Sequence, residues 1–202
     1  HPGMTDTLAL FAAIDRSDLK IIARHVPFLR VLANISRQLY YLDDDASRSL
    51  GAVRGVAAHL RSGGAALTFP AGDIEPDPEV YHGARQALDG WEDSAGVFMR
   101  FAPDTTIVPA LVSGVIWEQT ARHWLIRLRP TREERERMAA ALQLLIMLTL
   151  RVRPTAVTVR FGRPITLADV GAADIPRIHR AVMAGMHELL GTPPADSGIS
   201  LL

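Results

Sequence analysis

Short apolar or β-branched segments alternate with helical segments in the first third of the chain, and this alternation most constrains the fold. Strands are predicted at 19–23 (LKIIA), 37–42 (RQLYYL) and 65–69 (AALTF). A short helix is predicted at 27–34, and apolar residues recur at helical spacing over Ser47–Arg61. Strands joined by helices at this spacing favour βαβ units. We therefore expect an α/β fold, with a mixed, mainly parallel sheet flanked by helices.

The later part of the chain adds two strands and several helices. The strands are predicted at 106–112 (TIVPALV) and 155–161 (TAVTVRF). The helices are predicted at 132–150 and 174–190, with an apolar helix at 7–14 and two short helices within 83–102. Pro109 inside a predicted strand indicates a sheet edge, a bulge or a strand end. The 202 residues suit a single domain, 1–190, followed by a C-terminal tail, 191–202.

Composition excludes several classes of function. Lys+Arg and Asp+Glu both total 22, so the chain has no basic footprint for nucleic acid. It has no cysteine, which excludes disulfides, thiolate metal sites and cysteine nucleophiles. The longest apolar stretch, 138–150, is too short to span a bilayer, and no signal peptide is visible. We expect a cytoplasmic protein, with contact to the inner face of the membrane left open. The chain starts with His1, which suggests a processed piece with further elements upstream.

His1 and Asp6 form an H-x4-D pair at the start of the first predicted helix. On one continuous helix their side chains would lie about 140° apart, so the chain must turn between them if they are to meet. Pro2-Gly3 permits that turn, and Thr5 is predicted to cap the helix that carries Asp6. The pair could then act as a general base and the carboxylate that orients it. A solvated terminal histidine is the alternative.

Two further motifs follow the H-x4-D pair. Phe69-Pro70-Ala71-Gly72 (F-P-x-G) comes directly after the third predicted strand, with Asp73 next. Val108-Pro109-Ala110-Leu111-Val112 (V-P-x-L-V) forms most of the fourth. In parallel sheets, ligands bind outside the carboxyl ends of the strands. The F-P-x-G segment and the acidic run Asp43-Asp44-Asp45 after the second strand therefore both lie where a site is expected.

In this order and separation, the three motifs resemble those of the PlsC-type glycerolipid and lysophospholipid acyltransferase superfamily. The resemblance covers residues 1 to about 167 and includes the closing Phe161-Gly162-Arg163-Pro164. It implies a glycerolipid acyltransferase-like fold. It also implies transfer of a fatty acyl group from an acyl-CoA or acyl carrier protein thioester to a hydroxyl or amine, with a lysolipid as the expected acceptor. Such an enzyme would serve phospholipid biosynthesis of the bacterial type.

The resemblance also assigns roles to residues. His1 would be the general base, oriented by Asp6, and no covalent enzyme intermediate would form. Phe69, Pro70 and Gly72 would shape the acceptor side of the cleft, and the segment Val108-Pro109 would line its floor or the acyl channel. The resemblance implies neither a cofactor beyond the thioester co-substrate nor a metal. The implied partners are the thioester donor, a lipid or small-molecule acceptor and the membrane surface, without nucleic acid.

Departures from the family pattern affect the expected acceptor. Asp44 stands where the family has an arginine that binds the acceptor's phosphate, and Ala71 replaces a glutamate. Asp73 and Glu75 follow directly. A dianionic phosphate would be repelled by these acids. Asp44 and Asp73 are thus predicted to bind a neutral hydroxyl or amine-bearing acceptor, instead of lysophosphatidic acid or glycerol 3-phosphate.

Four alternatives remain open from the sequence. A catalytically degenerate protein of the same fold could bind lipid or a partner without turnover. The alternating acids at 73, 75, 77 and 79 suggest a calcium loop, although position 78 is proline where an EF-hand needs glycine. An N-terminal histidine can ligate copper if a second histidine is near. The 138–150 helix could lie on a membrane surface, but a buried core helix is favoured.

Overall fold

The computed structural model describes residues 4–24, 38–42, 46–72, 75–150 and 156–193. Within these ranges the protein is mixed α/β and about half helical. The longer helices are α1 (Met4–Ile14), α2 (Ala46–Arg61), α4 (Ser94–Phe101), α7 (Arg132–Leu150) and α9 (Ile175–Gly191). The short ones are α3 (Ala84–Ala87), α5 (Glu118–Ala121), α6 (Trp124–Arg127) and α8 (Leu167–Val170), with a 3₁₀ turn at Leu88–Gly90. The strands are β1 (Lys20–Arg24), β2 (Leu39–Leu42), β3 (Ala66–Leu67), β4 (Ala110–Ser113) and β5 (Thr158–Phe161).

The first three strands form a parallel sheet in the order β2-β1-β3. Ile21 lies opposite Leu39 on one side and opposite Leu67 on the other. The predicted parallel strands are therefore confirmed, and their carboxyl ends lie at one edge of the sheet. The predicted helix at 27–34 and the acidic run at 43–45 lie outside the described residues.

Strands β4 and β5 form a separate antiparallel pair, with Ala110 opposite Phe161 and Ser113 opposite Thr158. The parallel order expected for most of the sheet thus applies to the first three strands. Regular pairing begins at Ala110, directly after Pro109, because proline has no N–H to donate to the ladder. The Pro109 carbonyl still accepts a hydrogen bond from the Gly162 N–H at 2.8 Å. Of the three alternatives for this proline, a sheet edge, a bulge or a strand end, the structure shows a strand end.

Helix α9 shows why the longer helices could be predicted. Ile178, Val182, Met186 and Leu189 recur every three or four residues and are all buried. Helices α5, α6 and α8 were not predicted, because four residues are too few to show a period. Thr166 and Asp169 form a capping box that starts α8, and this T-x-x-D pattern is a signal that could have located it.

The predictions for the first helix and for the 138–150 helix had different outcomes. Helix α1 begins at Met4, so Thr5 lies inside its first turn and the predicted capping role of Thr5 is wrong. In α7, Ala139 and Gln143 are buried, which supports its interpretation as a core helix. The Gln143 side chain accepts a hydrogen bond from the Trp117 N–H and donates one to the Val115 carbonyl, both at 2.8 Å. None of the described helices is both long and apolar enough to cross a bilayer.

Candidate functional site

The F-P-x-G segment forms a tight turn just beyond the carboxyl end of β3. The Gly72 N–H donates to the Phe69 carbonyl at 3.1 Å, and Gly72 has a φ of 67°. Pro70 occupies the second position of this turn, where its fixed φ is favoured. The Pro70 carbonyl accepts a hydrogen bond from the Glu92 N–H at 3.1 Å, which ties the turn to the segment before α4.

A cavity of about 720 Å³ lies beside this turn, between the parallel sheet, α1, β4 and α9. Most of its walls are apolar. The main contributors are Ala13, Ile14, Leu19, Ile22, Leu67, Phe69, Pro70, Val108, Pro109, Leu111, Val182 and Met186. This volume falls within the ~300–1,000 Å³ range of small-molecule sites. The cavity is large enough for an apolar ligand and has few polar groups to orient one.

Four of the predicted substrate-binding residues line this cavity, namely Phe69, Pro70, Val108 and Pro109. Gly72 is exposed and shapes the turn without lining the cavity. Asp44 and Asp73 lie outside the described residues, as does His1.

The helix that carries Asp6 forms one wall of the same cavity. Asp6 is fully buried, and one turn later Leu10 lies in a core cluster with Val112 of β4, against which Phe69 packs. Ala13 on α1 lines the cavity, whereas the neighbouring Ala12 is exposed. The structure therefore brings α1 next to the F-P-x-G and V-P-x-L-V segments, although Asp6 itself does not line the cavity.

Asp77 is a fully buried carboxylate whose role the sequence did not reveal. It accepts hydrogen bonds from the N–H groups of Gly114 (3.2 Å), Val115 (2.7 Å) and Ile116 (3.2 Å). Its neighbours Pro76 and Pro78 line the cavity. Asp77 thus fixes one cavity wall to the loop that follows β4.

The other acids of this segment also contact protein groups. The Glu75 side chain accepts a hydrogen bond from the Trp91 indole N–H at 2.6 Å, and Glu79 accepts one from the Ser113 hydroxyl at 2.6 Å. Glu75, Asp77 and Glu79 thus point to three different partners, an arrangement that opposes the calcium-loop interpretation. In the part of the chain that the structure describes, no three acidic or histidine side chains group so as to hold a metal.

Charged and imidazole groups near the amino ends of β1 and β3 fix that edge of the sheet. The hydrogen bonds from Arg16 to the Asp18 carboxylate lower the pKa of Asp18 to about 2. Arg16 also donates to the Gly63 carbonyl at 2.8 Å. His59 Nε2 lies 2.9 Å from the Asp18 carbonyl and 3.1 Å from that of Ala65. Arg16 and Ala65 also line the cavity, so these contacts hold part of its wall in place.

A second histidine–aspartate pair was not predicted. His179 Nδ1 on α9 lies 2.9 Å from a carboxylate oxygen of Asp93, at the start of α4. The two residues are 86 positions apart in the sequence, so no local pattern could have indicated the contact. Neither residue lines the cavity, and the pair joins two helices.

Comparison with known proteins adds no assignment. No family model, curated protein or solved structure matches the chain. The relevant geometry is an apolar cavity walled by the H-x4-D helix, the F-P-x-G turn and the V-P-x-L-V strand.

Proposed function

We propose that this protein is an acyltransferase that moves a fatty acyl group from an acyl thioester to a hydroxyl or amine acceptor. One observation carries the proposal. Two motifs that are far apart in the sequence, F-P-x-G and V-P-x-L-V, supply walls of a single apolar cavity through Phe69-Pro70 and Val108-Pro109, and the helix that carries Asp6 supplies another wall through Ala13. An acyl chain is the apolar ligand that such a cavity suits, because burying its methylenes contributes about 0.8 kcal/mol for each CH₂. The motif resemblance supports a glycerolipid acyltransferase-like fold as part of the same proposal.

In this proposal the chemistry belongs to His1 and Asp6. The imidazole of His1 removes the proton from the acceptor hydroxyl or amine as that group attacks the thioester carbonyl. The C–S bond then breaks, and the departing thiolate takes the proton back from the imidazolium. Asp6 holds the imidazole in its working tautomer and stabilises its charged form. The burial of Asp6 supports this role, since a carboxylate shielded from water interacts more strongly with a cation.

The acceptor side would be set by acids. In the sequence, Asp44 stands in a motif position two residues after β2 and Asp73 directly follows the F-P-x-G turn, and Glu75 lines the cavity. Negative charge there disfavours a phosphate and favours a neutral hydroxyl or an amine-bearing headgroup. We therefore propose a neutral or amine-bearing lysolipid as the acceptor.

Thiol release from acyl-CoA and acyl carrier protein thioesters tests the proposal, with neutral, amine-bearing and phosphate-bearing lysolipids compared as acceptors. His1→Ala and Asp6→Asn should each lower acceptor-dependent release by at least about 100-fold, the usual scale of general-base catalysis. His82→Ala and Asp89→Asn, at exposed positions, are the matched controls and should retain full activity. Wild-type release that equals release by both motif variants would refute the transferase.

The cavity also supports a second candidate, a protein that binds a fatty acyl chain without turnover. Ala71 in place of the family's glutamate, and Asp44 in place of its arginine, favour this alternative. Titration with a fluorescent fatty acid separates the two functions. Binding without acceptor-dependent thiol release would support the carrier, whereas binding with such release would support the enzyme.

A further inference from the structure

Helix α6 exposes three large apolar side chains within five residues. Trp124 is 65% exposed, Leu125 40% and Leu128 69%. Trp124 and Leu128 are four positions apart, and Leu128 retains helical backbone angles, so their side chains lie on the same helix face. Ile126, between them, is 1% exposed and belongs to the core cluster that includes Ala139 of α7. The core therefore holds α6 in place with its apolar face towards solvent, as expected of a contact surface.

The charge around this face is positive on balance. Residues 118–137 contain six arginines and four glutamates, a formal charge of +2 in a chain whose total is zero, and the acids lie at the two ends, at 118 and at 133–136. Arg122 and Arg129 are both exposed. Arg122 forms an ion pair with Glu118 at 2.6 Å, which offsets part of its charge. An excess of positive charge remains beside the apolar side chains.

We propose that Arg122, Trp124, Leu125, Leu128 and Arg129, here called the α6 patch, bind the protein to an anionic lipid surface. A tryptophan suits the boundary between headgroups and acyl chains, because its ring is apolar and its N–H is polar. The two leucines enter the acyl region while the arginines bind lipid phosphates. Interleaved apolar and basic residues with a net positive charge complement an anionic bilayer. The proposal places membrane contact at α6 rather than at the 138–150 helix, where Ala139 and Gln143 are buried and Leu145, at 58%, is exposed.

Vesicle co-sedimentation tests this proposal with the intact chain. Vesicles of phosphatidylcholine alone are compared with vesicles that also contain phosphatidylglycerol. The wild type should bind the mixed vesicles and bind them less tightly at high salt. Removing Trp124 and Leu128 together (W124A/L128S) should weaken binding about 100-fold, roughly tenfold for each apolar side chain withdrawn from the bilayer. Replacing Arg122 and Arg129 by glutamine should weaken binding to the mixed vesicles about fivefold for each charge.

Leu50→Ser is the matched control, because Leu50 is 46% exposed on α2 and lies outside the patch. It should leave vesicle binding unchanged. Equal loss in the control and the patch variants would overturn the proposal, as would failure of the wild type to bind mixed vesicles. If W124A/L128S instead dissociates a vesicle-free oligomer, the patch is an interface between copies and the proposal is wrong. Thermal unfolding of each variant confirms that it is folded, and no thioester is present, so the result is independent of acyl transfer.

Discussion

Removing the Asp77 carboxylate should destabilise the protein more than any change at its exposed acids. The side chain is 0% exposed. One oxygen accepts hydrogen bonds from the N–H groups of Gly114 (3.2 Å) and Glu79 (3.1 Å). The other accepts hydrogen bonds from the N–H groups of Val115 (2.7 Å) and Ile116 (3.2 Å). Four backbone donors therefore depend on one side chain. Asp77→Ala removes all four acceptor contacts, and Asp77→Asn removes those of one oxygen.

The magnitude follows from the cost of unpaired donors. Each buried N–H left without an acceptor costs about 1–3 kcal/mol, so four independent losses would approach the entire stability of an ordinary domain. Relaxation of the loop and entry of water reduce that sum, and we expect a loss of about 4 kcal/mol for Asp77→Ala. Asp77→Asn retains one carbonyl oxygen and should lose about 2–3 kcal/mol, since its NH₂ group faces two donors.

Urea unfolding followed by circular dichroism measures these losses as shifts of the midpoint at constant slope. Glu79→Gln is the matched control, because Glu79 is exposed and the glutamine oxygen can still accept the Ser113 hydroxyl. It should change stability by less than about 1 kcal/mol. If Asp77→Ala does not fold, Asp77→Asn provides the measurement. An unfolding free energy for Asp77→Asn within about 1 kcal/mol of the wild type would show that these hydrogen bonds do not hold the loop.

Three further predictions address other parts of the structure. Gly64→Ala should lower the free energy of unfolding by about 1–3 kcal/mol, because the new Cβ would lie 2.3 Å from Cε1 of His59, whose ring is held by hydrogen bonds. Gly51→Ala is the control: it places a methyl group in open space on α2 and should stabilise that helix, as thermal unfolding can measure. The Asp18 carboxyl has a lowered pKa, so its contribution to stability should be constant above about pH 5 and disappear towards pH 2; a wild-type minus Asp18→Asn difference independent of pH would contradict this. Ala13→Phe should exclude long acyl chains from the cavity in the fatty acid titration, and Ala12→Phe, which points to solvent, should not.

The sequence located most of the regular elements because their patterns are local. Strands β1 to β3 and helices α1, α2, α7 and α9 were predicted from apolar spacing, with boundaries that differ by a few residues. The same spacing placed the F-P-x-G segment at the carboxyl end of a parallel strand, where the structure has it. Phe69 and Pro70 line the cavity beside that strand end, and their role as site residues stays a prediction.

Local apolar spacing therefore specifies the periodic elements, and the motifs follow in a set order along the chain. Which segments come into contact depends on the folded chain as a whole. Strand β5 pairs with β4 antiparallel, and Asp77 is drawn into a ring of amides more than thirty residues away, because hydrogen-bonding groups shielded from water must find partners wherever the fold supplies them. The exposed face of α6 also depends on tertiary packing. Ile126 enters the core shared with α7, and that contact leaves Trp124 and Leu128 facing solvent.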